Sequence, residues 1–280
     1  MKFSMPFLIL CTAFTFSQNH QTGNGGINFF RLSSNYRPAK IVFNDGTIKQ
    51  GFVAGFIENE NIEIGGFSQL SNFEHQLNLD DNKFKFKINK ESDGEKLSQE
   101  NIKSISLINA TFVKTYYLVD VFAVDKKTKK LESLKRKAWL PLLHQGKKTS
   151  IYGFNLFINN RYTFTYYYLG IDDKMAVRFF DDGMGLCGKK CAIEYFGNFL
   201  NEVFVKNCEA MKPYVANTIS ESNMEKFKAL NAIKESEIKK IKRDKKLTKD
   251  EKEQMTTKLY QDFALGPIIE LINEQEKNCK

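Results

Sequence analysis

The stretch FFDDGMGLCGKKCAIEYFGNFL, residues 179–200, marks the point where strand patterns give way to helix patterns. Up to Phe180, apolar residues tend to alternate with polar ones, as strands with one buried face require. Beyond Gly183 they recur at intervals of three and four, as Phe196 and Phe199 do, which is the period of a helix with one buried face. The sequence therefore predicts that a sheet ends and helices begin within this stretch.

The glycine spacing G-x-G-x-x-G over residues 183–188 has the form of a dinucleotide-binding loop. That site needs the following helix to return to a second parallel strand, with an acidic residue about 20 residues further on. Here the helix leads instead to Pro213 and to more helical sequence, and Asp181 and Asp182 would repel phosphates. We therefore predict no nucleotide and no other cofactor.

A weaker form of phosphate recognition stays open at the same loop. Backbone N–H groups at the start of a helix attract anions, and here they would belong to Gly185 and Gly188, next to Lys189 and Lys190. The simpler interpretation is a glycine-rich turn that joins sheet to helix.

The N-terminus, MKFSMPFLILCTAFTFSQ, indicates where the protein works. One lysine precedes the apolar stretch Phe3–Phe16, and Thr15 and Ser17 are small enough for a secretory cleavage site. The stretch is shorter than the about 20 residues of a membrane span. We predict a signal peptide over residues 1–17 and an exported mature chain, periplasmic or secreted to the cell surface, with no transmembrane segment.

The cysteines point to the same compartment. Cys11 lies inside the predicted signal peptide, which leaves an even number in the mature chain, all in its last third. In an exported protein such cysteines usually form disulfides. The four candidates are Cys187, Cys191, Cys208 and Cys279.

Helix geometry limits how these cysteines pair. If residues 191–208 are helical, Cys191 and Cys208 are separated by about 25 Å, which no disulfide spans. We favour Cys187–Cys191 as a short loop and Cys208–Cys279 as a long clamp. Pairing of Cys187 with Cys208 and of Cys191 with Cys279 stays open.

Motifs that carry catalysis or bind metals are missing from the sequence. There is no G-x-S-x-G, no H-E-x-x-H and no P-loop. Cys187-x3-Cys191 lacks the usual zinc spacing and has no histidine nearby. The aspartate pairs at 80–81, 172–173 and 181–182 are typical of turns. We therefore predict no catalytic and no metal-binding residues and favour a protein that is not an enzyme. An envelope hydrolase, or another enzyme with dispersed catalytic residues, is the alternative.

The chain is basic, with 42 Lys and Arg against 33 Asp and Glu and a formal net charge of +9. The densest positive run is KKIKRDKKLTK, residues 239–249, which is either a solvated helix face or a patch for an anionic partner. No aromatic residue is interleaved with it, which disfavours nucleic acid as the partner. The candidate anion-binding residues are Lys239, Lys240, Lys242, Arg243, Lys245 and Lys246.

The first two thirds of the mature chain have the pattern of a sheet. Residues 18–35 are polar and rich in Gly and Asn, and we predict a flexible arm there. Residues 36–181 are predicted to form an antiparallel, aromatic-rich β domain. Its two best hairpin signals are Asn44-Asp45-Gly46 and the turn at residues 159–160.

The remainder, residues 183–280, is predicted to be a helical domain held by disulfides. Ser222 with Glu225 and Thr248 with Glu251 have the spacing of capping boxes, which predicts two consecutive helices. Gly266-Pro267 is expected to end the second of these helices and to start a third. The predicted fold class is therefore α+β.

Several short stretches resemble a set of uncharacterised exported proteins of Bacteroidota. The signal ending FTFSQ is similar to export signals of that phylum, and residues 38–210 carry the rest of the likeness. The resemblance implies a β-rich N-terminal part and a helical, cysteine-containing C-terminus, and it implies no known activity. The matching positions are Asp45 to Ile48, Gly51, Leu143, Gly146, Ser150 to Tyr152, Cys208 and Cys279.

These observations together favour one class of function. We expect a non-catalytic exported interaction module of the cell envelope, binding a protein or an anionic envelope component.

Overall fold

The structure is a computed structural model. It describes residues 19–22, 27–31, 35–56, 58, 60–64, 84–109, 113–125, 127–158, 161–171, 174–179 and 188–279. The predicted signal peptide and the three aspartate pairs lie outside these residues.

The strands form one mixed sheet of thirteen members, and helices follow it in the chain. The strands are β1 (Asn19–Thr22), β2 (Ile27–Arg31), β3 (Arg37–Phe43), β4 (Ile48–Ala54), β5 (Asn61–Ile64), β6 (Lys85–Lys87), β7 (Glu95–Lys96), β8 (Ile102–Ile108), β9 (Val113–Val124), β10 (Leu131–Gln145), β11 (Thr149–Ile158), β12 (Arg161–Ile171) and β13 (Met175–Arg178). The α-helices are α1 (Gly188–Leu200), α2 (Lys212–Thr218), α3 (Glu221–Arg243) and α4 (Lys249–Asn278). The predicted α+β class is confirmed.

Five consecutive strands close on themselves. Each strand from β9 to β13 pairs antiparallel with the next, and β13 then pairs in parallel with β9. All five contribute alternate side chains to one buried cluster, which therefore lies inside this ring. Its members from the ring strands are Val119, Val121, Ala138, Leu140, Tyr152, Phe154, Leu156, Ile158, Tyr166, Tyr168 and Ala176.

A second group of strands continues from the first part of β9, residues 113–117, in the order β8, β3, β4, β6 and β7. The predicted hairpin at Asn44-Asp45-Gly46 joins β3 to β4, and Gly46 has a φ of 86°, which glycine adopts without strain. These strands share a core with the outer face of the ring. At its centre Phe56 makes edge-on contacts with the rings of Phe84, Tyr116 and Trp139.

The sheet differs from the predicted one in two respects. Two pairings are parallel, β5 with β11 and β9 with β13, whereas we predicted an antiparallel domain. The predicted flexible arm contains β1 and β2, and β2 pairs with β5. Backbone ladder bonds at a sheet edge require no apolar side chains, so the polar composition of this segment did not reveal the strands.

The helices cover the outer face of β11, β12 and β13. One hydrophobic cluster contains residues from these strands and from all the helical segments except α3. The predicted boundary near residue 182 thus separates types of secondary structure, while the core crosses it. The largest contributions are Ile151, Tyr167, Leu169 and Val177 from the sheet, Phe199, Leu200, Val203, Phe204, Met211 and Val215 from the first helices, and Leu265, Ile268, Leu271 and Ile272 from α4.

One of the two predicted capping boxes is confirmed. Thr248 caps α4, because its side chain accepts a hydrogen bond from the backbone N–H of Glu251, whose own carboxylate accepts one from the backbone of Thr248. The other prediction is wrong: α3 begins two residues earlier, where Ser220 accepts a bond from the N–H of Asn223. Serine at position 220 supplies the same capping chemistry.

The predicted break at Gly266-Pro267 is also wrong, because α4 runs through Pro267 to Asn278. A proline inside a helix removes one backbone hydrogen bond. The buried residues on either side, Leu265 and Ile268, keep this part of α4 on the sheet, and their burial offsets that cost.

Polar contacts fix α4 along the sheet. The hydroxyl of Thr149 donates to Gln275 Oε1 at 2.6 Å, and Gln261 Nε2 donates to Asn155 Oδ1 at 2.8 Å. Asn155 Oδ1 also accepts the hydroxyl of Thr165 at 2.8 Å. These pairs satisfy polar groups that helix packing has removed from water.

A disulfide joins Cys208 to Cys279, as predicted, with a Cα–Cα distance of 5.9 Å. It connects the chain just after α1 and its π-helical extension (Asn201–Val205) to the end of α4. Such a bond indicates an oxidising compartment. The second predicted pair, Cys187–Cys191, stays a prediction because Cys187 and the side chain of Cys191 lie outside what the structure describes.

No helix within the described ranges combines the length and the apolar character needed to cross a bilayer.

We expect the Cys208–Cys279 disulfide to stabilise the protein substantially. It closes a loop with a sequence separation of 71 residues, and loops of this size correspond to about 2–4 kcal/mol. The double variant Cys208→Ser/Cys279→Ser should lose that amount in urea unfolding. The wild type, measured once with the disulfide intact and once after reduction, is the internal control. Equal stability of the variant and the oxidised wild type would contradict the clamp.

Candidate functional site

The structure brings the six candidate anion-binding residues of the basic run together. Four of them lie on the last turn and a half of α3, and two lie in the turn that leads to α4. All are exposed to solvent. We call this group, Lys239, Lys240, Lys242, Arg243, Lys245 and Lys246, the basic tip.

Local hydrogen bonds shape the turn that carries the basic tip. The backbone N–H of Asp244 donates to the carbonyls of Lys240 and Ile241, which ends α3. Asp244 Oδ1 then accepts a bond from the N–H of Lys246 at 2.8 Å. With Thr248 capping α4, only residues 244–248 separate the two helices, so α3 and α4 form a tight antiparallel hairpin.

The described side-chain contacts within the hairpin are partly cationic. Ile238 is the buried apolar residue of α3 among its described side chains. About one turn earlier, Lys234 Nζ lies 4.6 Å from the ring centre of Tyr260 and 4.4 Å from that of Phe263. Cation–π contacts of this kind stabilise a pair by about 0.5–2 kcal/mol.

The charges of the basic tip are mostly uncompensated. Lys240 pairs with Glu237 at 2.6 Å, one turn back on α3, and the other five form no ion pair with a described residue. Cations near a helix C-terminus interact favourably with the helix dipole, which gives Lys240, Lys242 and Arg243 a structural role. Lys245 and Lys246 lie beyond the helix end, so a favourable interaction with the helix dipole does not account for their presence.

The other predicted anion site is only partly described. Gly188 is the first residue of α1, and Lys189 and Lys190 follow in its first turn. Gly185 and the side chains of the two lysines lie outside the described part. The structure does not bring this loop together with the basic tip in any described contact, and anion binding there stays a prediction.

Sequence reasoning missed a buried ionic cluster between β3 and β9. Glu58 is 6% exposed, and Arg37 and the hydroxyl of Tyr116 donate to its two oxygens, the latter at 3.2 Å. Burial raises the pKa of the Glu58 carboxyl, although Arg37 opposes that effect. Burial and the neighbouring Glu58 also raise the pKa of Tyr116 well above its ordinary range, so the phenol stays protonated and donates.

A carboxyl with a raised pKa is the kind of group that catalysis uses as an acid. Here, however, Arg37 and Tyr116 occupy both Glu58 oxygens. A second ion pair, Lys114 with Glu60, lies alongside. The arrangement fixes Glu58 and Glu60 on β3 and β9, and each Glu58 oxygen already accepts a hydrogen bond. A single glutamate after an apolar run carries no sequence signal that would reveal it.

A depression of about 380 Å³ lies beside the β3–β4 turn, lined by Phe43, Asn44, Asp45, Leu97, Ser98 and Asn101. Polar side chains in its lining form hydrogen bonds with the neighbouring backbone. Asp45 Oδ1 accepts from the N–H of Thr47 at 2.8 Å, which lowers the pKa of Asp45, and Asn44 Nδ2 donates to the carbonyl of Glu100 at 2.9 Å. Among the described residues, no three His, Cys, Asp or Glu side chains cluster as metal ligands would.

Comparison of the chain with protein-family models, with curated proteins and with solved structures gave no match. The site must therefore be interpreted from its own chemistry.

The pH dependence of stability tests the Glu58 cluster. Because the pKa of Glu58 is higher in the folded than in the unfolded chain, its contribution to stability is fully present at low pH. That contribution is lost as pH rises through the pKa of the folded chain. Relative to Glu58→Gln, the wild type should therefore lose free energy of unfolding as pH rises from about 4 through the pKa of folded Glu58.

Urea unfolding of both proteins across that range measures the difference, and Glu91→Gln, at an exposed position, controls for the loss of one carboxylate. A wild type that gains stability relative to Glu58→Gln as pH rises would show that the ion pair with Arg37 outweighs burial.

Proposed function

We propose that the protein is a non-catalytic, exported interaction module of the cell envelope that binds an anionic partner through the basic tip. The observation that carries the proposal is the concentration of six exposed cations at the end of one helical hairpin. The likeness to exported proteins of Bacteroidota belongs to the same proposal.

The physical basis is the sum of several weak attractions. Each exposed cation contributes little by itself, since its field is screened within about 8 Å at physiological ionic strength. Six cations within a few turns of backbone act together on a partner that carries several anionic groups. The position at the end of a hairpin allows such a partner to approach from several directions.

The chemistry fits an envelope polymer or surface that bears phosphate, sulfate or carboxylate groups. Single-stranded nucleic acid is disfavoured, because the sequence between residues 237 and 256 contains no aromatic side chain on which bases would stack. The alternative of a hydrolase gains no support from a particular residue, because Glu58, the described carboxyl that most resembles a catalytic acid, has both oxygens engaged.

Charge removal at the basic tip tests the proposal. In the variant with all six residues replaced by glutamine, retention on heparin and on vesicles rich in anionic lipid should be lost. Wild-type retention should fall steeply with salt. The midpoint of thermal unfolding should change little, because five of the six cations form no ion pair with a described residue and the one exposed pair contributes at most about 1 kcal/mol.

A matched control separates the basic tip from net charge. Six exposed lysines of the sheet region, replaced by glutamine, change the formal charge by the same amount: Lys85, Lys90, Lys96, Lys127, Lys130 and Lys137. This variant should keep most of its retention. If both variants lose retention equally, binding follows the net charge and the proposed site is wrong.

A further inference from the structure

One flank of α3 is apolar at its centre and yet faces solvent. Leu230 is 54% exposed and Ile233 is 59% exposed. Among the described side chains of α3, Ile238 is buried and Lys234 lies over two rings of α4. The two side chains lie three residues apart on one helix and so form a contiguous apolar patch, and such patches can mark interaction sites.

Charges of opposite sign bracket this pair. Lys226 lies one turn before Leu230, and Glu237 lies one turn after Ile233. At 100° per residue, these four positions fall within about 60° around the helix axis, and their centre is about 110° from Ile238. We call Lys226, Leu230, Ile233 and Glu237 the α3 stripe. It therefore runs along the flank of α3 beside the face that carries Lys234 and Ile238, with its centre about 70° from Lys234.

The spacing of the α3 stripe is symmetric. Its members are separated by four, three and four residues, so the midpoint of both the inner and the outer pair falls between Asn231 and Ala232. When a second α3 is placed antiparallel about that midpoint, Leu230 faces the Ile233 of the second copy. In the same register Lys226 faces its Glu237. Spacings of three and four are those with which two helices interlock.

The charges favour a second copy over a membrane as the occupant. An anionic lipid surface would attract Lys226 and repel Glu237, whose side chain is 45% exposed. In a pair of α3 helices, Lys226 of each copy faces Glu237 of the other. The two-fold symmetry therefore gives two such pairs of opposite charge per interface. Glu237 also accepts a bond from Lys240 on its own helix, and a carboxylate has two oxygens with which to serve both lysines.

We propose that the protein self-associates as a two-fold dimer through antiparallel pairing of the α3 stripe. The α3 stripe shares no residue with the basic tip, although its Glu237 pairs with Lys240 of the tip. The variants that test the dimer leave all six residues of the tip in place. The interface is small and polar at its ends, which corresponds to a reversible dimer.

Sedimentation velocity of the full mature chain, from micromolar to millimolar concentration, measures the association. The wild type should change from monomer to dimer as its concentration rises. Leu230→Ser/Ile233→Ser should weaken the dimer about tenfold or more, because both apolar contacts are lost twice. Lys228→Glu, which changes an exposed lysine on another side of α3, is the control and should leave association unchanged.

Charge exchange tests the register. Lys226→Glu alone and Glu237→Lys alone should each weaken the dimer about fivefold, because each places like charges together. Lys226→Glu/Glu237→Lys should restore it. The two positions are about 16 Å apart along one helix, so they cannot pair within a chain, and rescue requires a second copy.

A wild type that stays monomeric over the whole range would overturn the proposal. So would a charge-exchanged double variant that associates no better than either single variant, or a dimer that the serine substitutions leave unchanged. Partitioning of the wild type, but not of the serine variant, onto neutral lipid vesicles without dimer formation would assign the α3 stripe to a membrane instead.

Discussion

The apolar outer face of the ring strands β11 to β13 imposes the main constraint on this structure. A sheet face that carries Ile151, Leu169 and Val177 must be covered, and the C-terminal half of α4 supplies much of the cover. Hydrogen bonds from Thr149 and to Asn155 determine where α4 lies on the sheet. The disulfide then attaches its end to the chain that follows α1.

This attachment explains why the hairpin is exposed. The part of α4 beyond Phe263 is committed to the core, whereas its first part and α3 contact mainly each other. The helices are long enough that their joining turn lies well away from the buried end of α4, at about 1.5 Å per residue. The cations of that turn and of the end of α3 are therefore not required for packing of the core. They contribute to stability only through local dipole and solvation effects, which leaves them available for a partner.

Local patterns in the sequence predicted the local features well. The change of period near residue 182, the Asp45-Gly46 hairpin and the Thr248 capping box each depend on neighbouring residues, and each is confirmed. Pro267 was misjudged, because its local preference is overridden by burial of Leu265 and Ile268 in the common core. The parallel pairing of β13 with β9 joins residues more than 50 positions apart. No local pattern encodes such a closure.

The candidate site likewise has features that the local sequence encodes and features that depend on distant residues. The basic run was visible in the sequence, since charge density needs no tertiary context, but its position at a hairpin tip depended on where α4 packs. The Glu58 cluster was not visible, because Arg37 and Tyr116 approach it from strands far away in the chain. The symmetry of the α3 stripe became meaningful only when the structure showed that more than half of the surface of Leu230 and of Ile233 is exposed.

The central claim is that a stable body presents a less stable helical hairpin. Amide hydrogen exchange, measured at a concentration below self-association, tests it most directly, because exchange reports the free energy of opening segment by segment. We predict that β11, β12 and residues 265–278 exchange slowly and together, and that residues 221–243 exchange much faster through local opening. Equal protection of residues 221–243 and 265–278 would contradict the account, since it would show that α3 belongs to the cooperative core.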